Sequence, residues 1–178
     1  MDVTRLIFLD EFSVNTGMTK LYGRAEGGGR VYDYAPDTRY ERTTVLSSMR
    51  LNGKREYVVF DGAVNGDIFK LYVEQVLLPT LELGDCVVMD SLSSHKVGGV
   101  PHMLLRAGAN LAFLPRYSPD LNPIENMISK IKTSLRRAKE RSKQFLYDAI
   151  QLAFSTVSTC DISSWFHHTG YSVPFISN

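Results

Sequence analysis

The chain has 178 residues, a hydrophobic fraction of 44%, a charged fraction of 22% and a net charge of +1. These totals are ordinary for a globular protein with a proper core, and they predict a single domain over residues 1–178. The sequence excludes a membrane-spanning helix, because no apolar run approaches the roughly 20 residues that such a helix needs. The start of the chain lacks the layout of a signal peptide, so we expect a cytoplasmic protein whose two cysteines, Cys86 and Cys160, are buried and reduced.

Apolar runs predict a group of antiparallel strands at the start of the chain. The strands are Leu6–Leu9, ending at Asp10-Glu11, then Thr43–Leu51 and Glu56–Phe60, with a short candidate strand at Val31–Tyr34. The pair Asn52-Gly53 between two apolar runs is the strongest short-range signal for a β-hairpin. We therefore expect three antiparallel strands, with Asp10 on the first of them.

Helices and strands alternate in the remainder of the chain. The predicted order is a helix ending at Leu77, a strand at Cys86–Met89, a polar loop at Ser91–Lys96, a helix at Val100–Ala107, a strand at Leu111–Leu114, a helix from Pro123, a helix over Phe145–Val157 and an irregular aromatic tail from Trp165. Antiparallel strands followed by alternating units predict an α/β fold. Its mixed sheet has three antiparallel strands followed by parallel ones, and helices cover both faces.

The stretch from Leu114 to Arg137 carries the densest signal in the sequence. Asn122 is a strong helix N-cap, and proline is favoured at the first helical position, which is occupied by Pro123. The helix has an apolar face made of Ile124, Met127, Ile128, Ile131 and Leu135. Glu125 lies in the first turn on another face. Two interpretations are open: a metal site beside a phosphate track, or a capping box formed by Asn122 and Glu125.

Three acidic residues are predicted to meet at one edge of the sheet. Asp10 and Asp90 each follow a buried strand, and Glu125 opens the helix after the last strand. Sites in open sheets gather outside the carboxyl ends of parallel strands. Clustered carboxylates repel one another unless a cation neutralises them, and oxygen ligands favour two Mg²⁺ or Mn²⁺ ions, which suit phosphoryl displacement. Each aspartate alone could be a turn former or cap, but the joint placement favours a metal site.

Three segments resemble the catalytic domain of mariner-superfamily transposases, in the bacterial insertion-sequence branch. They are Leu6–Glu11, Val87–Lys96 and Leu114–Glu125, and 34 residues lie between Asp90 and Glu125, which is the spacing of the Asp-Asp-Glu members. The resemblance implies a ribonuclease H-like fold in which Asp10, Asp90 and Glu125 form the catalytic, metal-binding triad. It also implies Mg²⁺-dependent cleavage at transposon ends, followed by attack of the freed 3′-hydroxyl on target DNA.

The same resemblance predicts the partners of the protein. Family members carry an N-terminal helix-turn-helix region that binds transposon ends, and here the first predicted strand begins almost at once. We therefore expect that region to be absent, with a separate DNA-recognition chain as a candidate partner. Transposition holds two ends together, so we expect a homodimer on DNA, associated with the bacterial nucleoid and with no membrane. The alternatives are a catalytically silent DNA-binding or assembly module and a general ribonuclease H-like nuclease.

Basic residues near the acids are the candidate DNA contacts. The set is His95, Lys96, Arg116, Lys130, Lys132, Arg136, Arg137 and Lys139, with Tyr117 beside Arg116. The cations that follow Glu125 along its helix would run beside the DNA backbone, although such a stripe is also typical of a solvated helix face. The aromatic tail, which includes Trp165 and Phe175, is predicted either to join the dimer contact or to close the core.

Overall fold

The computed structural model describes residues 2–20, 22–36, 40–90 and 98–173. The strands are β1 (Leu6–Val14), β2 (Thr43–Arg50), β3 (Arg55–Asp61), β4 (Cys86–Met89) and β5 (Asn110–Phe113). The α-helices are α1 (Gly66–Tyr72), α2 (Val100–Arg106), α3 (Pro123–Ala138), α4 (Lys143–Ser155) and α5 (Thr159–His168). A π turn at Val73–Leu77 and a 3₁₀ turn at Leu78–Thr80 prolong α1. Within these ranges, none of the helices is long and apolar enough to cross a membrane.

The five strands form one mixed sheet in the order β3-β2-β1-β4-β5. The first three strands pair antiparallel, β4 is parallel to β1, and β5 is parallel to β4. The β2–β3 hairpin turns at Asn52 and Gly53. Gly53 has a φ of 91°, a left-handed conformation that glycine adopts without a steric penalty. The predicted mixed α/β sheet, with three antiparallel strands at its start, is confirmed.

Alternate residues of β1 pack on opposite faces of the sheet. Leu6, Phe8 and Phe12 pack in the core formed with α3, α4 and α5. Ile7 and Leu9 pack in a second core formed with α1 and α2. A strand with this alternation is buried on both sides, which explains why its sequence is a continuous apolar run. Helices therefore cover both faces of the sheet, as predicted.

Helix α3 is the central helix of the first core. The residues predicted for its apolar face are all buried: Ile124, Met127, Ile128, Ile131 and Leu135. It contacts β1, α4 and α5. Because α3 follows β5 through the loop at 114–122, its first turn lies near the carboxyl ends of the parallel strands.

Three local predictions about strands and cysteines were wrong. β1 does not end at Asp10 but continues to Val14, because β2 pairs with it as far as Thr43. Residues 31–34 are irregular and exposed, so the candidate short strand is absent there. Cys86 is buried and Cys160 is exposed at the start of α5, although both were expected to be buried.

The tail from Trp165 was predicted to be irregular, but its first residues, 165–168, are the last turn of α5. α5 opens with a capping box and buries Ile162 and Phe166. The rings of Phe166 and Tyr171 each pack edge-on against Phe8, with centroids 5.3 Å apart. These two aromatic residues therefore close the core, as one of the two interpretations predicted. Phe175 and the predicted polar loop at 91–96 lie outside the described residues.

Candidate active site

The register of the sheet places Asp10 beside Asp90. β1 and β4 are parallel and pair Leu9 with Met89, so that the next residue on each segment is an aspartate. Neighbouring strands lie about 4.7–4.9 Å apart, and side chains alternate between the two faces. Since Phe8 and Val88 pack in the core with α3, Asp10 and Asp90 emerge on the same side of the sheet as that helix.

Glu125 reaches the same place from the start of α3. It lies in the first turn of the helix, just after the loop that leaves β5. An open cleft of about 360 Å³ is lined by Asp10, Asp90 and Glu125, together with the loop 114–119 and Asn122. The fold therefore brings three acids from distant parts of the sequence to one cleft.

Solvent reaches the three acids to different extents. Asp10 is 6% exposed, Asp90 is half-buried and Glu125 is exposed. A buried carboxylate is unfavourable unless it is hydrogen-bonded. Asp10 accepts a hydrogen bond from the Glu11 N–H at 2.7 Å and another from the Asn122 side-chain amide at 3.0 Å. The carboxylate of Asp10 is therefore held in one orientation, whereas the side chain of Glu125 has room to turn.

The donor chemistry of the cleft fits a hard divalent cation. Its three carboxylates offer oxygen ligands, which Mg²⁺ and Mn²⁺ prefer. Among the residues that the structure describes, no three acidic, histidine or cysteine side chains stand close enough to form a closed cage for an ion. An Mg²⁺ site does not need such a cage, because the ion keeps several waters and is usually held by one or two carboxylates and substrate phosphates. The residues therefore fit an ion whose coordination is completed by a phosphate.

Asn122 lines the cleft, although its sequence context predicted only a role as the N-cap of α3. It occupies the N-cap position of α3, as predicted, but its side chain makes no capping hydrogen bond. The side chain is buried and donates to Asp10, 112 positions away in the sequence. The capping box with Glu125 is therefore absent. The sequence around Asn122 carries no signal for this bond, because its partner is on another element.

Two of the predicted DNA-contacting lysines form ion pairs within the chain. The Lys130 ammonium lies 2.6 Å from the carboxylate of Asp161, which belongs to α5. Lys139, at the end of α3, pairs with Asp33. These contacts tie α3 to neighbouring segments and give both lysines a structural role. Their contact with DNA stays a prediction.

The other cations of α3 are less engaged. The Lys132 ammonium lies 5.6 Å from the centroid of the Phe12 ring, within the range of a cation–π contact. Arg136 is half-buried and Arg137 is exposed, and neither forms an ion pair with any described residue. These two arginines therefore present the charge on α3 that is most available to a phosphate.

The loop that precedes α3 carries two further candidates. Arg116 is exposed and lines the cleft beside the three acids. Tyr117 also lines the cleft, is 99% exposed and has a φ of 60°, an unusual conformation for a bulky residue. Both side chains are therefore open to a ligand of the cleft. His95 and Lys96, which were predicted to contact DNA, lie outside the described residues.

Solved structures of Mos1 mariner transposase share this fold. A pre-cleavage Mos1 transpososome matches with a TM-score of 0.69 and 14% identity, over 94% of this chain and 53% of that chain. The Mos1 strand transfer complex gives 0.70 and 16%, over 94% and 52%. The catalytic domain of Mos1 gives 0.62 and 13%, over 94% and 78%. The predicted ribonuclease H-like fold is confirmed, and this chain spans about half the length of the chains in the assembled complexes.

The sequence also identifies the family within this class of fold. The profile of the DDE superfamily endonucleases matches residues 5–146, and the chain belongs to that family. No curated protein matches the chain. The predicted Asp-Asp-Glu family is thus confirmed, and the fold is the one seen in Mos1 mariner transposase, while the mariner superfamily and its insertion-sequence branch stay predictions.

Proposed function

We propose that this chain is the catalytic part of a DNA transposase. Asp10, Asp90 and Glu125 bind two Mg²⁺ or Mn²⁺ ions, and the domain cleaves DNA at transposon ends and joins the freed 3′-hydroxyl to target DNA. The observation that carries the proposal is the single cleft lined by all three acids. Membership of the DDE superfamily endonucleases supports it. Mos1 paired-end complexes with Mn and with Mg share the fold and support the choice of metal.

Each acid has a separate task in this proposal. Asp10 supplies a fixed ligand, because two hydrogen bonds hold its carboxylate. Asp90 supplies a second ligand from the adjacent strand, and the exposed Glu125 turns toward the site when DNA enters. Metal ions bound there would lower the pKa of the attacking water or hydroxyl and stabilise the leaving oxygen.

Positive charge around the cleft would guide the DNA backbone. The N-terminus of α3 has a positive dipole end that favours phosphate, and Arg116 lies in the same cleft. Arg137 is twelve residues beyond Glu125, a separation of about 18 Å along a helix. A DNA backbone that enters at the three acids and runs along α3 would therefore reach Arg136 and Arg137 about five base pairs from the acids, at about 3.4 Å per base pair.

The proposal includes the assembly on DNA. Cleavage and joining act on two transposon ends, so we infer a homodimer on DNA. The exposed Tyr117 is a candidate to stack on a base at the cut site, because aromatic side chains stack on any base with little sequence preference.

The first test removes the acids one at a time. Asp10→Asn, Asp90→Asn and Glu125→Gln keep the size of each side chain but remove its charge. Loss of a residue that only supports a metal ligand typically costs roughly 10–100-fold in activity. Each of these changes removes a proposed ligand itself, so we expect a larger reduction in Mn²⁺-dependent nicking of supercoiled plasmid. The measurement is the rate of conversion to nicked circles. Asp148→Asn, at an exposed position on α4 outside the cleft, is the matched control and should nick at the wild-type rate.

The same assay separates the competing functions. Nicking that survives in all three variants would reject the proposal. Faster cleavage of an RNA–DNA hybrid than of DNA in a substrate panel would indicate a general ribonuclease H-like nuclease. Salt-sensitive DNA binding by a wild-type protein that nicks nothing would indicate a silent binding module.

A further inference from the structure

The helix that carries Glu125 starts without a side-chain cap. Three other helices have one: Asn65, Ser142 and Ser158 each accept a hydrogen bond from a backbone N–H in the first turn of α1, α4 and α5. Asn122 has the residue type and the extended backbone of a cap, yet its side chain caps nothing. Helix α2 starts at Gly99, which has no side chain to offer, so among the described α-helices only α3 has a capping residue type that does not cap.

The side chain of Asn122 is directed at Asp10 instead. Its amide nitrogen donates to the Asp10 carboxylate at 3.0 Å, and the residue is 3% exposed. Its amide oxygen is buried and has no hydrogen-bond partner among the described residues. An uncapped helix and an unpaired buried oxygen each destabilise a protein. Departures of this kind from local rules concentrate at functional sites.

We propose that Asn122 is a positioning residue for the metal site. Its side-chain N–H fixes the plane of the Asp10 carboxylate and ties β1 to the first turn of α3, so that Asp10 keeps a constant distance from the backbone that carries Glu125. The inference rests on the proposed function. A neutral donor suits this task, because a cation in the same place would offset the charge of Asp10 and compete with a metal ion.

A single aromatic residue braces both partners of this hydrogen bond. The Tyr171 hydroxyl donates to the carbonyl of Leu121 at 2.9 Å, immediately before Asn122. The ring of Tyr171 packs against Phe8, two residues before Asp10. One side chain thus contacts the segments that carry the donor and the acceptor, as a positioning role requires.

The test compares two changes at residue 122. Asn122→Ala removes both the donor and any ability to cap, whereas Asn122→Ser restores a good cap but is too short to reach Asp10. A merely structural role predicts that serine rescues the alanine variant. A positioning role predicts that serine raises the melting temperature but not Mn²⁺ binding. We expect both variants to bind Mn²⁺ about 10–100-fold more weakly than the wild type, by electron paramagnetic resonance of the chain without DNA, and to nick correspondingly more slowly.

The control is the same exchange at an ordinary cap. Asn65→Ser, at the start of α1, should leave Mn²⁺ binding and nicking unchanged, and a defect there as large as at residue 122 would overturn the inference. Wild-type Mn²⁺ affinity and nicking in Asn122→Ser would also overturn it. In that case the proposed function still stands if Asp10→Asn abolishes nicking. A wild-type chain that neither binds Mn²⁺ nor nicks DNA would reject the inference and the proposed function together.

Discussion

At the scale of residues, a buried ion pair joins two strands that are not neighbours in the sheet. Arg50 at the end of β2 lies 2.6 Å from Asp85, the residue before β4, and the two side chains are 7% and 0% exposed. The Glu82 N–H donates to the same carboxylate at 2.7 Å. Burial raises the pKa of Asp85, but the hydrogen bonds from Arg50 and Glu82, with the charges of Arg50 and Arg5, outweigh it and leave the pKa below its ordinary value.

The lowered pKa of Asp85 predicts how the contribution of this ion pair to the free energy of unfolding changes with pH. A carboxyl group whose pKa falls on folding stabilises the protein above its unfolded pKa of about 3.9, and that stability is lost as the pH falls through the folded pKa. Asp85→Asn leaves Arg50 buried without its counter-charge, and we expect the free energy of unfolding to drop by about 3–5 kcal/mol at pH 7. The difference from wild type should shrink below about pH 4, as measured by urea denaturation across pH. Asp148→Asn is the exposed control, and a difference that stays constant down to pH 3 would contradict the prediction.

At the scale of elements, the apolar pattern correctly predicted the helices whose pattern is long and the strands that are buried on both faces. Strand β4 and the apolar face of α3 were predicted correctly for this reason. Helix α5 was missed because its buried residues are few, mainly Ile162 and Phe166. The true length of β1 was missed because an acidic pair indicates a strand end locally, whereas β2 continues the pairing beyond it.

The carboxylate of Asp161 holds α5 in two ways. It accepts hydrogen bonds from the backbone and hydroxyl of Ser158, at 2.8 and 2.7 Å, which closes the capping box. It also pairs with Lys130 on α3 at 2.6 Å. The hydrogen bond from Lys130, followed by those from Ser158, lowers the pKa of Asp161 to about 2. One side chain thus starts the helix and attaches it to α3.

We expect Asp161→Asn to loosen α5. The change weakens both the cap and the ion pair, and it should lower the free energy of unfolding by about 1 kcal/mol at pH 7. Because the folded pKa is depressed, the loss should vanish as the pH falls from about 4 toward 2. Thermal unfolding followed by circular dichroism measures the effect, and Cys160→Ser, the exposed neighbour on the same helix, is the control. Equal melting temperatures for Asp161→Asn and Cys160→Ser at pH 7 would refute this role.

At the scale of the whole molecule, the candidate site depends on contacts between distant segments, and the sequence predicted only part of it. The acids themselves were identifiable, because two of them follow buried apolar runs and the third opens an amphipathic helix. The pairing of Leu9 with Met89, which sets Asp10 beside Asp90, is a register that local pattern does not specify. The hydrogen bond from Asn122 to Asp10 depends on how α3 packs over β1, so it could not be predicted from the sequence.

The distribution of charge over the molecule leads to a prediction about DNA binding. Lys130 and Lys139 are paired with acids of the chain, whereas Arg136 and Arg137 have no ion-pair partner among the described residues. Each arginine that neutralises a phosphate releases counterions, so replacing both with glutamine should weaken DNA binding and reduce the salt slope of log K by about 1–2. Fluorescence anisotropy of a labelled duplex over a salt series measures both quantities. Arg106→Gln removes one charge from α2, on the other face of the sheet, and should leave the slope at its wild-type value. An unchanged slope in the double variant would show that the DNA does not contact Arg136 and Arg137.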